Sequence, residues 1–371
     1  VTQAEGFESL IDRMAGLGEE WRGAARAVPR HLFVPDQAWC LPEEGDGYLI
    51  DRAADCDKWV HSAYSDSAII TQFADGSASV ASGPGEFTSS LSAPGIVFSF
   101  LELLDPYDGD EVLEIGTGTG WTAGLLASRL GDDNVYSIEI DEALHVVAGA
   151  NLLAAGRTPH LIHADGAKGW AEGAPYDRVH VTVGVRDVPH AWVEQTRPGG
   201  LVVFPWMPGW EPGHCVRLTV GEGGTAVGRF HGGCGFVMLR SQRPPAAPAG
   251  GESRKSFTAL DPRRVVRAST GADVAIAGLV PDLFGNHQTE DDGSFDLWLW
   301  SSDSSAHVHY DPGYKDSAVR QSGRRALWDE VHDAFLHWVA LGSPTRDRFG
   351  LSVTPHGQHV WLDSPRTPLR A

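Results

Sequence analysis

VLEIGTGTGW, residues 112–121, decides how the rest of the chain is read. Val112, Leu113 and Ile115 form a short apolar run interrupted by one acid, Glu114. A turn with glycine at 116, 118 and 120 follows, and a helical pattern opens at Trp121. An apolar run of this length bounded by glycines reads as a buried strand feeding a helix. Glycine is needed where the backbone takes positive φ or lets a ligand come close. A helix start also carries unpaired N–H groups. The turn can therefore hold a small polar ligand at a strand end, where open α/β sheets bind ligands. Its spacing is GxGxG. A dinucleotide fingerprint reads GxGxxG and a phosphate loop ends in Gly-Lys-Ser/Thr; this stretch has neither.

Two further loops narrow the ligand. VYSIEID, residues 135–141, ends a second strand with Glu139 about 20 residues after the glycines, where a carboxylate suits a ribose diol. HADGAKG, residues 163–169, ends a third strand with Asp165 and Gly166, where an acid can take an adenine amino group. A lone glycine turn reads equally well as a plain tight turn. Three such loops in this order resemble the class I S-adenosylmethionine (SAM) methyltransferases. That resemblance implies SAM as methyl donor and S-adenosylhomocysteine as product. It assigns cofactor contacts to Glu114, Gly116, Thr117, Gly118, Gly120, Glu139, Ile140, Asp165, Gly166 and Val183.

Strands are expected at 111–115, 135–140, 160–164, 178–185 and 201–206, with helices at 121–130, from Asp141 to near Gly156, and at 189–196. Gly131 suits the end of the first of these helices, and Asp141 the start of the second. RPGG, residues 197–200, reads as a turn; GEGG, 221–224, joins a hairpin of strands at 215–220 and 225–230; and 236–240 reads as another strand. Alternating strands and helices predict a doubly wound α/β sheet, Rossmann-like, of the SAM-dependent methyltransferase kind. Upstream, Phe7, Leu10, Ile11, Met14 and Leu17 predict one helix over 7–26.

VPRHLFVP, residues 28–35, is bracketed by prolines and reads as an extended or turn segment. Residues 36–62 form an insert without a clear pattern, and 83–95, GPGEFTSSLSAPG, read as a hydroxyl-rich loop before a helix begun by Pro94. VPRHLFVP, Tyr64-Ser65-Asp66, Ser92-Ala93-Pro94 and the PYD at 175–177 together resemble the protein-L-isoaspartate O-methyltransferases over residues 25–240. The resemblance implies that Ser92 contacts substrate beside SAM and is the catalytic candidate. On residue type alone Ser92 is a helix cap. Gly95 replaces a larger residue of many family members, which bears on the substrate pocket.

Residues 241–255 are rich in Pro, Ala and Gly and read as a linker. A C-terminal α+β extension follows, 256–371, with strands at 296–300, 307–310 and 359–362, a hairpin around 355–358, and a helix at 325–341. On that helix Leu327, Val331, Phe335 and Trp338 form a core-facing stripe. The expected units are 1–85, a leader packing on the core; 86–240, the methyltransferase core; the linker; and the extension, reading substrate. This combination resembles an actinobacterial branch that methylates an aspartate of a ribosomally made, cyclised precursor peptide, the ester then closing to aspartimide. The alternatives are repair of isoaspartate in damaged proteins and a non-catalytic peptide-binding protein.

The formal charge of −20 argues against a nucleic-acid partner. No run of eighteen apolar residues suggests a membrane span, and the first residues lack a secretory pattern. The four cysteines match no zinc spacing, so free thiols in a cytoplasmic monomer are expected, with no metal at HGGC, 231–234. His307 and His309 share a strand face, read as a polar face and not as metal ligands.

Overall fold

The computed structural model describes residues 3–14, 17–83, 85–210, 213–248 and 252–369. The leader makes two helices, α1 (Gln3–Arg13) and α2 (Glu19–Ala27), not one. Gly18, with φ −59 and ψ 151, is non-helical and starts the second. Leu10, Ile11 and Leu17 are buried as the periodicity predicts, and the Phe7 side chain lies outside the described residues. VPRHLFVP forms a single 3-10 turn at Arg30–Phe33. The insert supplies β1 (Gln37–Leu41), β2 (Tyr48–Asp51) and α3 (Cys56–Ala63).

β3 (Ala68–Phe73) and β4 (Phe87–Leu91) complete a small sheet of order β2-β1-β3-β4. The expected loop over 83–95 thus contains a strand. Its Thr88, Ser89 and Ser90 are tolerated because β4 is an edge strand, with irregular pairing to β3. The same pairing crosses the expected boundary at 85/86. α4 (Pro94–Leu104) follows, with Pro94 in its first turn and Val97, Phe100 and Leu101 buried.

The main sheet has nine strands in the order β18-β17-β11-β10-β9-β8-β5-β6-β7. β5 (Val112–Ile115), α5 (Trp121–Leu130), β6 (Val135–Glu139), α6 (Glu142–Ala154), β7 (His160–His163), β8 (Tyr176–Val181), α7 (His190–Glu194) and β9 (Thr196–Trp206) follow the expected alternation. β5 pairs in parallel with both β6 and β8, so the chain order reverses between them. RPGG is not a turn: it lies within β9, where a register shift against β8 absorbs it. β10 (Gly213–Val220) and β11 (Ala226–Cys234) form the expected hairpin, antiparallel to β9. Residues 236–240 are not a strand; Met238 makes one isolated bridge to Gly184.

The extension contains β12 (Ser253–Thr258), α8 (Pro262–Val266), α9 (Thr270–Leu279), β13 (Phe284–Thr289), β14 (Phe295–Trp300), β15 (Ser305–Tyr310), β16 (Ser317–Ser322) and α10 (Leu327–Ala340). Its antiparallel sheet runs β12-β16-β15-β14-β13, and α10 buries Leu327, Val331, Phe335 and Trp338 as the stripe predicts. β17 (Phe349–Thr354) and β18 (Gly357–Leu362) are the expected hairpin.

That hairpin corrects the boundary at 255/256. β17 pairs with β11, so the extension adds two strands to the main sheet. One apolar core runs from Ile115, Val181 and Phe204 of the main sheet to Ile276, Phe335 and Leu351 of the extension. The leader packs with α4 and α5 in a second core, through Trp21, Phe33, Phe100 and Leu126. Residues 249–251 of the expected linker lie outside the described residues. Its ends are held, because Gln242 accepts the Arg186 N–H at 2.7 Å and Pro245 O accepts from the Trp300 indole at 3.1 Å.

Candidate active site

The GxGxG turn sits at the carboxyl end of β5, where the strand order reverses and a crevice opens. A cavity there holds about 870 Å³ of space between atoms, part of it open to solvent. Gly116 (φ +96) and Gly118 (φ +56) require glycine for different reasons. A Cβ on Gly116 would lie 2.7 Å from Thr182 Oγ1; one on Gly118 would enter the gap toward Ser89 and Ser90. Backbone exposed this way is the cradle that a ligand filling the gap needs.

Glu139 ends β6 at the cavity, 7% exposed. Its Oε2 accepts the Gly118 N–H at 2.8 Å and its Oε1 the Asp141 N–H at 2.9 Å. Burial raises its pKa above the ordinary carboxylate range, against these hydrogen bonds, which lower it. Asp141 caps α6 as expected, through Ala143 and Leu144. Asp165 and Gly166 line the cavity from the end of β7, with Ile140, Thr117 and Val183.

Two expected contacts are placed elsewhere. Glu114 does not line the cavity: it is fully buried, accepts the Ser137 hydroxyl at 2.5 Å, and lies 3.9 Å from His180. Burial raises its carboxyl to about 8 and depresses the His180 imidazole to about 3, so both are neutral at pH 7. β5 is buried on both faces, and Glu114 sits on the face away from Leu113 and Ile115. Gly120 starts α5 with φ +99, packed against Leu152 and Ala148.

Ser92 lines the cavity between β4 and α4. It is not the helix cap; that position is Ala93, which makes no side-chain cap. Instead Asp66 Oδ1 accepts the Gly95 N–H at 2.7 Å. Gly95 therefore answers to Asp66 and is not among the residues lining the cavity. Arg30 of the leader, fully buried, donates to the carbonyls of Ala63 and Ser67 at 2.8 Å and of Ser92 at 3.0 Å. VPRHLFVP thus earns its place by fixing the loop that carries Ser92.

The sequence did not single out Arg240 and Arg243. Arg240 Nη2 lies 3.1 Å from Asp141 and 3.2 Å from Asp75, and Arg243 holds Asp75 with two bonds of 2.7 and 2.8 Å. These pairs bridge from the leader across the cavity rim. Their only sequence signal was two arginines entering a Pro-rich segment.

A profile of the family "Protein-L-isoaspartate(D-aspartate) O-methyltransferase (PCMT)" matches residues 49–243. A protein-L-isoaspartate O-methyltransferase of Methanopyrus kandleri is 34% identical over 248 residues, 62% of this chain and 90% of that protein. One of Pyrococcus horikoshii is 39% identical over 157 residues, 40% of this chain and 68% of that protein. A solved protein-L-isoaspartate O-methyltransferase superposes with TM-score 0.55 at 21% identity, over 98% of this chain and 100% of that one, which shows a shared fold. The chain belongs to the protein-L-isoaspartate O-methyltransferase family and is a SAM-dependent carboxyl methyltransferase.

Proposed function

We propose that the chain methylates an aspartate side-chain carboxylate of a ribosomally made, cyclised precursor peptide. The observation that carries this reading is a groove on the outer face of the extension's sheet. Trp298, Trp300, His307 and Arg320 line it together with Ala247 and Pro248. Arg243 lines the cavity and Pro248 lines the groove, so at most ~18 Å of chain separates them. Aromatic and cationic groups this close to the reaction centre suit an acidic peptide whose aspartate reaches Ser92.

The chemistry asks little acid–base work. A carboxylate is ionised at pH 7. Transfer of the sulfonium methyl to its oxygen would give a methyl ester and S-adenosylhomocysteine. The cofactor supplies an activated methyl on a sulfonium. Gly116, Gly118, Glu139 and Asp165 would hold it, and Ser92 would orient the carboxylate. Alignment and exclusion of water can supply much of the barrier reduction. The ester can then be attacked by the following backbone nitrogen, releasing methanol and leaving an aspartimide.

Repair of L-isoaspartyl residues is the second reading. It is favoured by the names of the relatives. Competition between an isoaspartyl peptide and a macrocyclic aspartyl peptide for the same enzyme, followed by mass spectrometry, separates the two. Higher kcat/KM for the aspartyl macrocycle supports maturation; higher kcat/KM for the linear isoaspartyl peptide replaces it with repair.

A further inference from the structure

Asp296 on β14 and His307 and His309 on β15 converge on one point of the extension's outer sheet face. The register sets Asp296 beside His309 and Trp298 beside His307, and alternate residues of a strand share a face. His307 Nε2 and His309 Nδ1 reach the same carboxylate oxygen, Asp296 Oδ1, at 2.6 and 2.8 Å. The donor atoms all lie within 4.8 Å of one another. A cation with bonds of about 2.0–2.1 Å needs its donors roughly 3.3 Å apart. An ion replacing the protons that His307 and His309 share with Asp296 Oδ1 would lengthen these contacts toward that spacing.

The set is also partly preorganised. The His307 ring stacks on Trp298 at 5.5 Å with an interplanar angle of 5°, which limits its rotation. The Asp296 side chain is 15% exposed, while the histidines are 35% and 41% exposed, so the carboxylate forms the floor and the imidazoles the rim. Gln288 is the cross-strand neighbour of Asp296 on β13, and Arg320 that of His307 on β16. Asp292, in the turn before β14, has its carboxyl pKa lowered chiefly by hydrogen bonds from Ser294 and least by the nearby His309. Arg320 is thus the cation flanking the set in the strand register, while Asp292 adds negative charge beside it.

We propose that Asp296, His307 and His309 bind a first-row divalent transition metal ion, of which Zn²⁺ is the type. Two imidazoles with one carboxylate suit zinc, copper or nickel; calcium and magnesium prefer oxygen donors. Three protein ligands leave at least one position open to water or an incoming donor. Bound there, the ion joins β14 to β15 and fixes the Trp298–His307 wall of the groove. The site needs neither the cofactor nor the peptide, so its test is independent of the proposed reaction.

The test titrates the chelator-treated full-length chain with ZnCl₂ by calorimetry and with Co²⁺ by visible absorption. One equivalent is expected, with Co²⁺ bands free of thiolate charge transfer. Affinity should fall at least about tenfold in His307→Ala, His309→Ala and Asp296→Asn. His307→Gln keeps a donor to Asp296 while removing the imidazole, so it should also lose the ion if any alanine variant fails to fold. Absent uptake, uptake unchanged in these variants, or thiolate bands would each overturn the site and leave a hydrogen-bonded His–Asp–His group.

Discussion

Asp66 accepts the backbone N–H of Gly95 at 2.7 Å, and a Cβ on Gly95 would lie 2.7 Å from its other carboxylate oxygen. The leader thereby caps the first turn of α4, close to Ser92. Gly95→Ala should displace the carboxylate and cost about 1 kcal/mol, the usual value of a helix cap. Asp66→Ala should cost a similar amount. The double variant should lose little more than either single one, because both remove one interaction. Additive losses in denaturant midpoints would show that Gly95 answers to something else.

Arg30 and Ser92 separate structural from chemical roles. Arg30→Lys keeps a charge but cannot span the carbonyls of Ala63, Ser67 and Ser92. It should lose at least about 2 kcal/mol of stability, since hydrogen bonds to a charged group are broken in the core. Ser92→Ala should leave the melting temperature nearly unchanged, because Ser92 makes no cap, and should lower single-turnover methyl transfer. Equal losses of stability and turnover in Ser92→Ala would return that residue to a structural role.

Glu114 makes stability depend on pH. Its folded pKa is about 8 against an ordinary 4.5, so the folded chain binds the extra proton between these values. That stability is full below the unfolded pKa and is lost as pH rises toward 8. His180 and His214, both depressed to about 3, act oppositely: their contribution is present above about 6.5 and is lost as pH falls. Above about pH 7.5 the histidines have stopped titrating in both states, and the Glu114 slope stands alone among these groups. Glu114→Gln should flatten that slope and stabilise the chain at pH 8 by on the order of 3 kcal/mol. An unchanged slope in urea melts across this window would place Glu114 in a more polar setting than the fold implies.

The ion pairs of Asp75 with Arg240 and Arg243 cross the rim of the cavity. Asp75→Asn should speed release of S-adenosylhomocysteine, most clearly at low salt, where half-exposed pairs are least screened. Stopped-flow fluorescence of the cavity-lining Trp121 can follow release. A salt-independent rate equal to that of the wild type would remove these pairs from the path of exchange.

What was legible in the sequence was local. The β5 turn, Asp141 as a cap, and the Leu327, Val331, Phe335 and Trp338 stripe each declare themselves within one or two turns of chain. What was hidden was pairing across long separations. Nothing near Phe349 says that β17 will join β11 more than a hundred residues earlier. Glu114 misled because a strand buried on both faces shows no alternation by which to orient its one acid. Arg240 and Arg243 were unremarkable until Asp75 arrived from the leader.

We propose that the crevice at the end of β5 binds SAM through Glu139. Calorimetric titration of SAM into wild type, Glu139→Ala and Glu139→Gln tests it most directly. Both variants should bind more weakly, by roughly 1.5–3 kcal/mol for a lost charged hydrogen bond. Glu139→Gln keeps an acceptor for the Gly118 N–H, so it controls for collapse of the turn. Circular dichroism confirms that each is folded. Weakened binding in both folded variants is the expected result; unchanged SAM affinity in both would contradict the account.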